Sequence, residues 1–169
     1  MKRAASSAGL SRNFTSHVPG RSVAGALSVA LRGIAGRRAC SLRRCARKLL
    51  AEPRDVCPLH GDIHHGNIVD FGERGWLAID PKGLLGERGF DYANPFCNPS
   101  HPVATAPSRL ARQADVVARA ANLDRMRLLH WILAWAGLSA VWGIEGGNDR
   151  HIEPTLRIAK IAAAEIDRG

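Results

Sequence analysis

Apolar residues recur at helical spacing throughout residues 108–167, which are therefore predicted to form a helical body. Each segment begins near a residue that can start a helix, and glycines mark where the long one ends. Three helices are predicted here: one over 108–121 capped by Ser108, a longer one from Asp124 to the glycine pair 146–147, and a last one opening at Glu153 and Pro154.

Upstream of this body, two short apolar runs surround a glycine-bounded turn and predict a β-hairpin over residues 68–79. Residues 45–51 are predicted to form a helix that Pro53 stops, because a proline pushes the preceding residue out of the α region. Residues 81–107 are dense in glycine and proline and are predicted to be a loop. The predicted fold class is α+β and mostly helical, with one hairpin held against the helices.

The longest apolar stretch, residues 128–144, is predicted to be a core helix rather than a membrane span. It contains His130 and Ser139 and follows two arginines. It is also shorter than the roughly 20 residues with which a helix crosses a bilayer. No membrane is therefore expected as a partner. The four cysteines show no C-x-x-C pairing, which favours a reducing cytoplasm.

Positive charge is confined to the start of the chain. The net charge is +9, but residues 1–50 hold 11 of the 24 lysines and arginines and no acidic residue. The rest of the chain has 13 basic against 15 acidic side chains, so nucleic acid is not expected as its partner. Residues 1–42 lack an amphipathic period and are predicted to be disordered or foreign to the domain formed by 43–169. A transit peptide and a basic nucleic-acid-binding arm are alternatives for the same composition.

Residues 60–67, HGDIHHGN, and residues 80–83, DPKG, contain the residue types that phosphoryl transfer needs. That reaction requires a carboxylate to orient the acceptor, oxygen ligands for Mg²⁺ and a donor held in line. Asp62 can accept a hydrogen bond from the acceptor hydroxyl, while Asn67 and Asp80 offer oxygen atoms to the metal. Because a hairpin returns the chain near its start, Asn67 and Asp80 at its two ends are predicted to face one Mg²⁺ site.

The histidines of this loop offer an alternative interpretation as a zinc site, since imidazole and carboxylate both bind Zn²⁺. The spacing of His60, His64 and His65 matches neither H-E-x-x-H nor a closed structural site. We therefore favour an interpretation in which His60 packs beneath the loop and supports it.

The joint pattern resembles the aminoglycoside phosphotransferase family, whose catalytic loops are similar to those of protein kinases. The segments HGDIHHGN, GWLAIDPKG and ERGFDYAN are most similar to its streptomycin 6-kinase branch, also labelled aminoglycoside/hydroxyurea resistance kinases. The resemblance runs from about residue 43 to the end and implies the C-terminal lobe of a kinase-like fold. It implies Asp62 as catalytic base, Asn67 and Asp80 as Mg²⁺ ligands, and Asp91 as a brace of the catalytic loop. Lys82 stands where protein kinases have phenylalanine, and a contact from Lys82 to phosphate is a hypothesis.

The same resemblance implies ATP as phosphate donor and an aminocyclitol antibiotic such as streptomycin as acceptor. Such kinases hold ATP under a β-rich N-terminal lobe with a paired lysine and glutamate, and residues 1–42 contain one lysine and no acidic residue. The chain is therefore expected to be truncated, and weakly active or inactive by itself. The alternatives are a kinase of another small polyol, a non-catalytic remnant of such a kinase, and a nucleic-acid-binding protein acting through residues 1–50.

Overall fold

The computed structural model of the chain describes residues 37–169, so what was predicted for residues 1–36 lies outside the described residues. Within this range the protein is mostly helical and contains two small antiparallel pairs of strands. The helices are α1 (Arg37–Ala51), α2 (Gly89–Ala93), α3 (His101–Ala104), α4 (Arg109–Ala120), α5 (Arg125–Glu145) and α6 (Asp149–Ile166). The strands are β1 (Val56–Leu59), β2 (Ile68–Asp70), β3 (Trp76–Ala78) and β4 (Leu84–Glu87).

Helix α5 forms the centre of the core. It is long and apolar enough to cross a membrane by length and composition alone, but 78% of its most apolar window is buried inside the fold. Helices α1, α2, α4 and α6 all pack against it, and α6 makes the most extensive contact. Trp131 and Trp135 are buried in this core, and the edge of the Trp131 ring meets Phe90 of α2 at a centroid distance of 6.1 Å. The prediction that this stretch is a core helix is confirmed.

The ends of α5 follow the predicted capping. The side chain of Asp124 accepts a hydrogen bond from the backbone N–H of Arg127 at 2.6 Å, which satisfies one of the unpaired donors of the first turn. The helix ends at Gly146, as the glycine pair indicated.

The predicted start of α4 is correct, since the helix begins at Arg109 directly after Ser108, but two other predicted helix starts are wrong. Ser108 precedes α4 but has a left-handed backbone (φ 57°) and makes no capping hydrogen bond with its side chain. Helix α6 begins at Asp149 and contains Pro154 within it, because the missing N–H removes only one hydrogen bond of a long helix. Helix α1 begins at Arg37 rather than 45, and its Leu42 packs into the core against Gly137. The expected boundary between 42 and 43 therefore falls inside a helix.

Strands β2 and β3 form the predicted hairpin, in which Ile68 pairs with Ala78 and Asp70 with Trp76. The second antiparallel pair, β1 with β4, was not predicted, because the glycine and proline residues around β4 resembled a loop. Together the two pairs hold residues 60–67 and 79–83 beside each other, since each segment connects one pair to the other.

Candidate active site

The polar loop of residues 60–67 is held by hydrogen bonds to Asp91, which lies on α2. The backbone N–H groups of His60 and Gly61 donate to the two carboxylate oxygens of Asp91, each at 2.8 Å. Gly61 has φ 84°, and a Cβ at this position would lie 2.9 Å from the side chain of Leu84. Only glycine therefore fits this turn without strain, and the hydrogen bonds to Asp91 fix where the loop begins.

His60 ties this loop to the end of the hairpin. Its Nε2 lies 2.8 Å from the carbonyl oxygen of Ile79, and its Nδ1 lies 3.3 Å from the backbone nitrogen of Asp62, which donates to it. Both contacts are satisfied when the proton is on Nε2. Because both ring nitrogens are used in this way, His60 is not available to a metal, which counts against the zinc interpretation. The Nδ1 of His64 accepts from the backbone of Gly66 at 3.0 Å.

Asp62 is held at its backbone and at both carboxylate oxygens by two amide side chains. The Nδ2 atom of Asn67 donates to the carbonyl oxygen of Asp62 at 2.9 Å and lies 3.5 Å from its Oδ2. The Nδ2 atom of Asn94 lies 3.2 Å from Oδ1 of Asp62. The Asp62 side chain is about one third exposed, so its carboxylate has a fixed direction and still faces solvent.

Asn94 was not singled out from the sequence, although it contacts Asp62 directly. It is 4% exposed, and Asn98 donates to its Oδ1 at 3.2 Å and to its backbone carbonyl at 3.1 Å. The spacing of Asn94 from Asp91 could have indicated this contact, because residues three apart lie on the same face of a helical turn. Since Asp91 faces the polar loop, Asn94 one turn later faces it as well.

The two ends of the hairpin meet as predicted. The backbone N–H of Ile79 donates to the carbonyl oxygen of Asn67 at 2.9 Å, which brings Asp80 beside the polar loop. Asp80 is exposed and has a left-handed backbone with φ 61°. The ammonium of Lys82 lies 2.6 Å from Oδ2 of Asp80 and 3.9 Å from Oδ2 of Asp62. The hydrogen bond and the positive charge of Lys82 hold the pKa of Asp80 below its ordinary value.

The oxygen atoms at this site suit a hard divalent cation. Mg²⁺ is commonly bound through one or two carboxylates together with phosphate oxygens and water. Asp80 offers such a carboxylate, and the amide oxygen of Asn67 accepts no hydrogen bond from the side chains and backbone that the structure describes. Over the same residues no three His, Cys, Asp or Glu side chains cluster closely enough to form a complete metal site. The protein thus offers a partial ligand set of the kind that a metal shared with phosphate requires.

A buried ion pair between Glu87 and Arg127 holds the segment that leads into α2, and the sequence did not predict it. Glu87 is 6% exposed and accepts hydrogen bonds from Nε and Nη2 of Arg127, from Nε1 of Trp131 and from the backbone of Arg54. A cavity of about 190 Å³ lies beside this ion pair, away from Asp62. The pair fixes the residues immediately before α2, and so the positions of Asp91 and Asn94.

This order of acidic and amide side chains on one loop and hairpin suits phosphoryl transfer, which needs an acceptor-orienting carboxylate and oxygen ligands for a metal. A model of the aminoglycoside/hydroxyurea antibiotic resistance kinase family matches residues 19–147, and the chain belongs to that family. The match begins well before residue 43, where the likeness was expected to begin.

Individual relatives agree with this assignment. The chain is 57% identical over 124 residues to a streptomycin 3''-kinase of Klebsiella pneumoniae, a match that covers 70% of this chain and 47% of the relative. It is 33% identical to a hydroxyurea phosphotransferase of Kitasatospora aureofaciens, covering 74% of this chain and 34% of the relative. It is 35% identical to a streptomycin 6-kinase of Streptomyces griseus, covering 69% and 38%. The chain thus spans less than half the length of these relatives, and no solved structure matches it.

Proposed function

We propose that this chain carries the acceptor-orienting and metal-holding part of a kinase that transfers phosphate from ATP to a hydroxyl group of an aminocyclitol antibiotic such as streptomycin. The observation that carries the proposal is the Asp62 carboxylate, which two amides orient on a loop clamped by Asp91. The names of the Klebsiella and Streptomyces relatives support streptomycin as the acceptor. We propose the cytoplasm, where ATP is available, as its location.

In this proposal Asp62 is the catalytic base. Its carboxylate accepts the hydrogen bond of the acceptor hydroxyl and turns the oxygen toward the γ-phosphorus of ATP. As the new oxygen–phosphorus bond forms, the bond to the bridging oxygen of ADP breaks, and the hydroxyl proton passes to Asp62. Asn67 and Asn94 keep the carboxylate in this direction, because each donates to a different oxygen of it.

Asn67 and Asp80 would hold Mg²⁺, which when bound supplies positive charge to the donor phosphates. Asp91 and His60 act on the chemistry only through the loop, whose backbone they hold on two sides. We also propose that the part of the Klebsiella relative outside the match supplies the remaining contacts to ATP, since the expected lysine–glutamate pair has no counterpart in residues 1–42.

A fusion protein tests this proposal. The part of the Klebsiella kinase outside the match is placed ahead of residue 37, so that α1 stays intact, and transfer of the γ-phosphate of ATP to streptomycin is measured. We expect phosphorylation by the fusion and loss of most of it in Asp62→Asn, because an amide cannot take the hydroxyl proton. Asp167→Asn makes the same chemical change at an exposed position on the last turn and should leave the rate unchanged.

The acceptor and the alternatives are separated by the same assay. Hydroxyurea is tested beside streptomycin, because a hydroxyurea phosphotransferase is among the relatives. A folded fusion that phosphorylates neither compound nor other small polyols supports the non-catalytic alternative. Activity that persists with Asn at position 62 contradicts the assignment of Asp62 as the base.

A further inference from the structure

The ammonium group of Lys82 lies between the two carboxylates of the candidate site. It is 2.6 Å from Oδ2 of Asp80 and 3.9 Å from Oδ2 of Asp62. The side chain is partly buried, and the contact with Asp80 is a direct charge-assisted hydrogen bond. One positive charge therefore partly offsets two neighbouring negative charges where a divalent cation would otherwise be attracted.

The backbone of Lys82 is fixed, whereas its charge lies at the end of a long side chain. Its N–H donates to the carbonyl oxygen of His60 at 2.6 Å, which pins the residue against the polar loop. Beyond Cβ, the side chain has a flexible stem with a compact charge at its end. Lys82 can therefore exchange one anionic partner for another nearby without movement of the loop.

A divalent cation on Asp80 would lie next to this ammonium, and the two like charges would repel each other. The ammonium of Lys82 already contacts one of the two oxygens of this carboxylate. Metal binding at Asp80 would therefore compete with the ammonium, and the phosphates that accompany the metal would offer the ammonium a new anionic partner.

We propose that Lys82 is an exchangeable cation, which partly offsets the charges of Asp62 and Asp80 before the metal binds and transfers to the donor phosphate when the metal arrives with its nucleotide. This inference rests on the proposed metal site at Asn67 and Asp80. It predicts that removing the ammonium changes two affinities in opposite directions. Free metal should bind more tightly, because its competitor is gone, and the metal–phosphate complex should bind more weakly, because a phosphate contact is lost.

The experiment compares Lys82→Met with the unaltered chain of residues 1–169. Affinity for Mn²⁺, which prefers the same oxygen ligands as Mg²⁺, is measured from the electron paramagnetic resonance signal of the free ion. Affinity for the magnesium complex of inorganic tripolyphosphate is measured by equilibrium dialysis. We expect Mn²⁺ affinity to rise about fivefold and tripolyphosphate affinity to fall by about the same factor, as the loss of one partly exposed ion pair implies.

Two control variants isolate the position and the charge. Lys160→Met removes the same charge from an exposed ion pair on α6 and should change neither affinity. Lys82→Arg keeps the charge and should retain tripolyphosphate binding better than Lys82→Met does.

The outcomes show separately whether the metal site exists and whether Lys82 competes with the metal there. Asp80→Asn should lower Mn²⁺ affinity at least about tenfold, as expected when a carboxylate ligand is lost. If Asp80→Asn has no effect, or no variant binds Mn²⁺ saturably, the proposed metal site is wrong and the inference fails with it. If Asp80→Asn weakens binding but Lys82→Met does not tighten it, only the competition by Lys82 is refuted. If tripolyphosphate affinity is unchanged in Lys82→Met, the transfer to phosphate is refuted.

Discussion

Replacing the buried carboxylate of Glu87 by its amide tests how the fold holds the candidate site in place. Glu87→Gln preserves the size of the side chain but removes its charge and one hydrogen-bond acceptor. The guanidinium of Arg127 makes two hydrogen bonds of 2.6 Å to this carboxylate and is itself only 13% exposed. The substitution therefore leaves a largely buried positive charge without its anionic partner.

Breaking one half of a buried ion pair costs about 3–5 kcal/mol, because the remaining charge stays desolvated. Glutamine keeps one carbonyl oxygen that can accept from Arg127 or from Trp131, so we expect a loss near the lower end, about 3 kcal/mol. For a chain of this size that corresponds to a melting temperature lower by about 6–12 °C.

The pH dependence of stability gives an independent check. Burial by itself raises the pKa of Glu87, but the hydrogen bonds from Arg127, the backbone of Arg54 and Trp131 outweigh it, and the pKa in the folded protein lies below the ordinary value of 4.5. Its contribution is therefore fully present above that value and is lost as the pH falls through the lower folded pKa. The stability difference between the unaltered chain and Glu87→Gln should be constant above about pH 5.5 and shrink below about pH 4.5.

Urea unfolding, followed by tryptophan fluorescence and by far-ultraviolet circular dichroism, measures the free energy of unfolding. The matched control is Glu153→Gln on α6, whose side chain is 75% exposed and lies 3.4 Å from Lys160. An exposed pair of this kind contributes about 0–1 kcal/mol, so the control should change little. If Glu87→Gln loses no more stability than Glu153→Gln, the buried ion pair does not anchor α2.

Three further predictions concern the loop, its support and the thiols. In the active fusion, Asn94→Ala should lower kcat about tenfold at unchanged KM for ATP, because one orienting hydrogen bond to Asp62 is worth about 1–1.5 kcal/mol. An unchanged kcat would show that Asn94 does not orient Asp62. Gly61→Ala should destabilise the protein more than Gly72→Ala. Both positions have a positive φ, but only at position 61 would a Cβ meet the side chain of Leu84, at 2.9 Å. Equal losses of unfolding free energy in urea would contradict this steric explanation. Burial raises the pKa of the Cys45 and Cys97 thiols to about 12. At pH 8 both should therefore resist a thiol reagent that modifies the less buried Cys57, which peptide mass spectrometry can map. Modification of Cys45 or Cys97 before Cys57 would contradict this order of reactivity.

Local sequence patterns predicted the elements whose folding depends on neighbouring residues. The hairpin of residues 68–79 followed from two apolar runs and a turn, and α5 followed from its cap at Asp124 and its glycine end. The loop HGDIHHGN and the aspartate after the hairpin identified the candidate chemistry, because a short hairpin leaves few ways to place its ends. The positions of Asp62, Asn67 and Asp80 agree with that reasoning, and their catalytic and metal-binding roles stay predictions.

Contacts between distant segments were decided only by the tertiary structure. The pairing of β1 with β4 joins residues 25 to 31 positions apart, and neither strand is long or alternating enough to predict its partner. Nothing in the sequence distinguished Glu87, a residue of β4, because its partner Arg127 lies 40 positions away on helix α5. Asn94 reaches Asp62, and Lys82 reaches both Asp62 and Asp80, because packing of α2 and the second strand pair brings them there. The sequence by itself therefore determined which groups are available for the chemistry, whereas long-range packing decided which groups hold them in place.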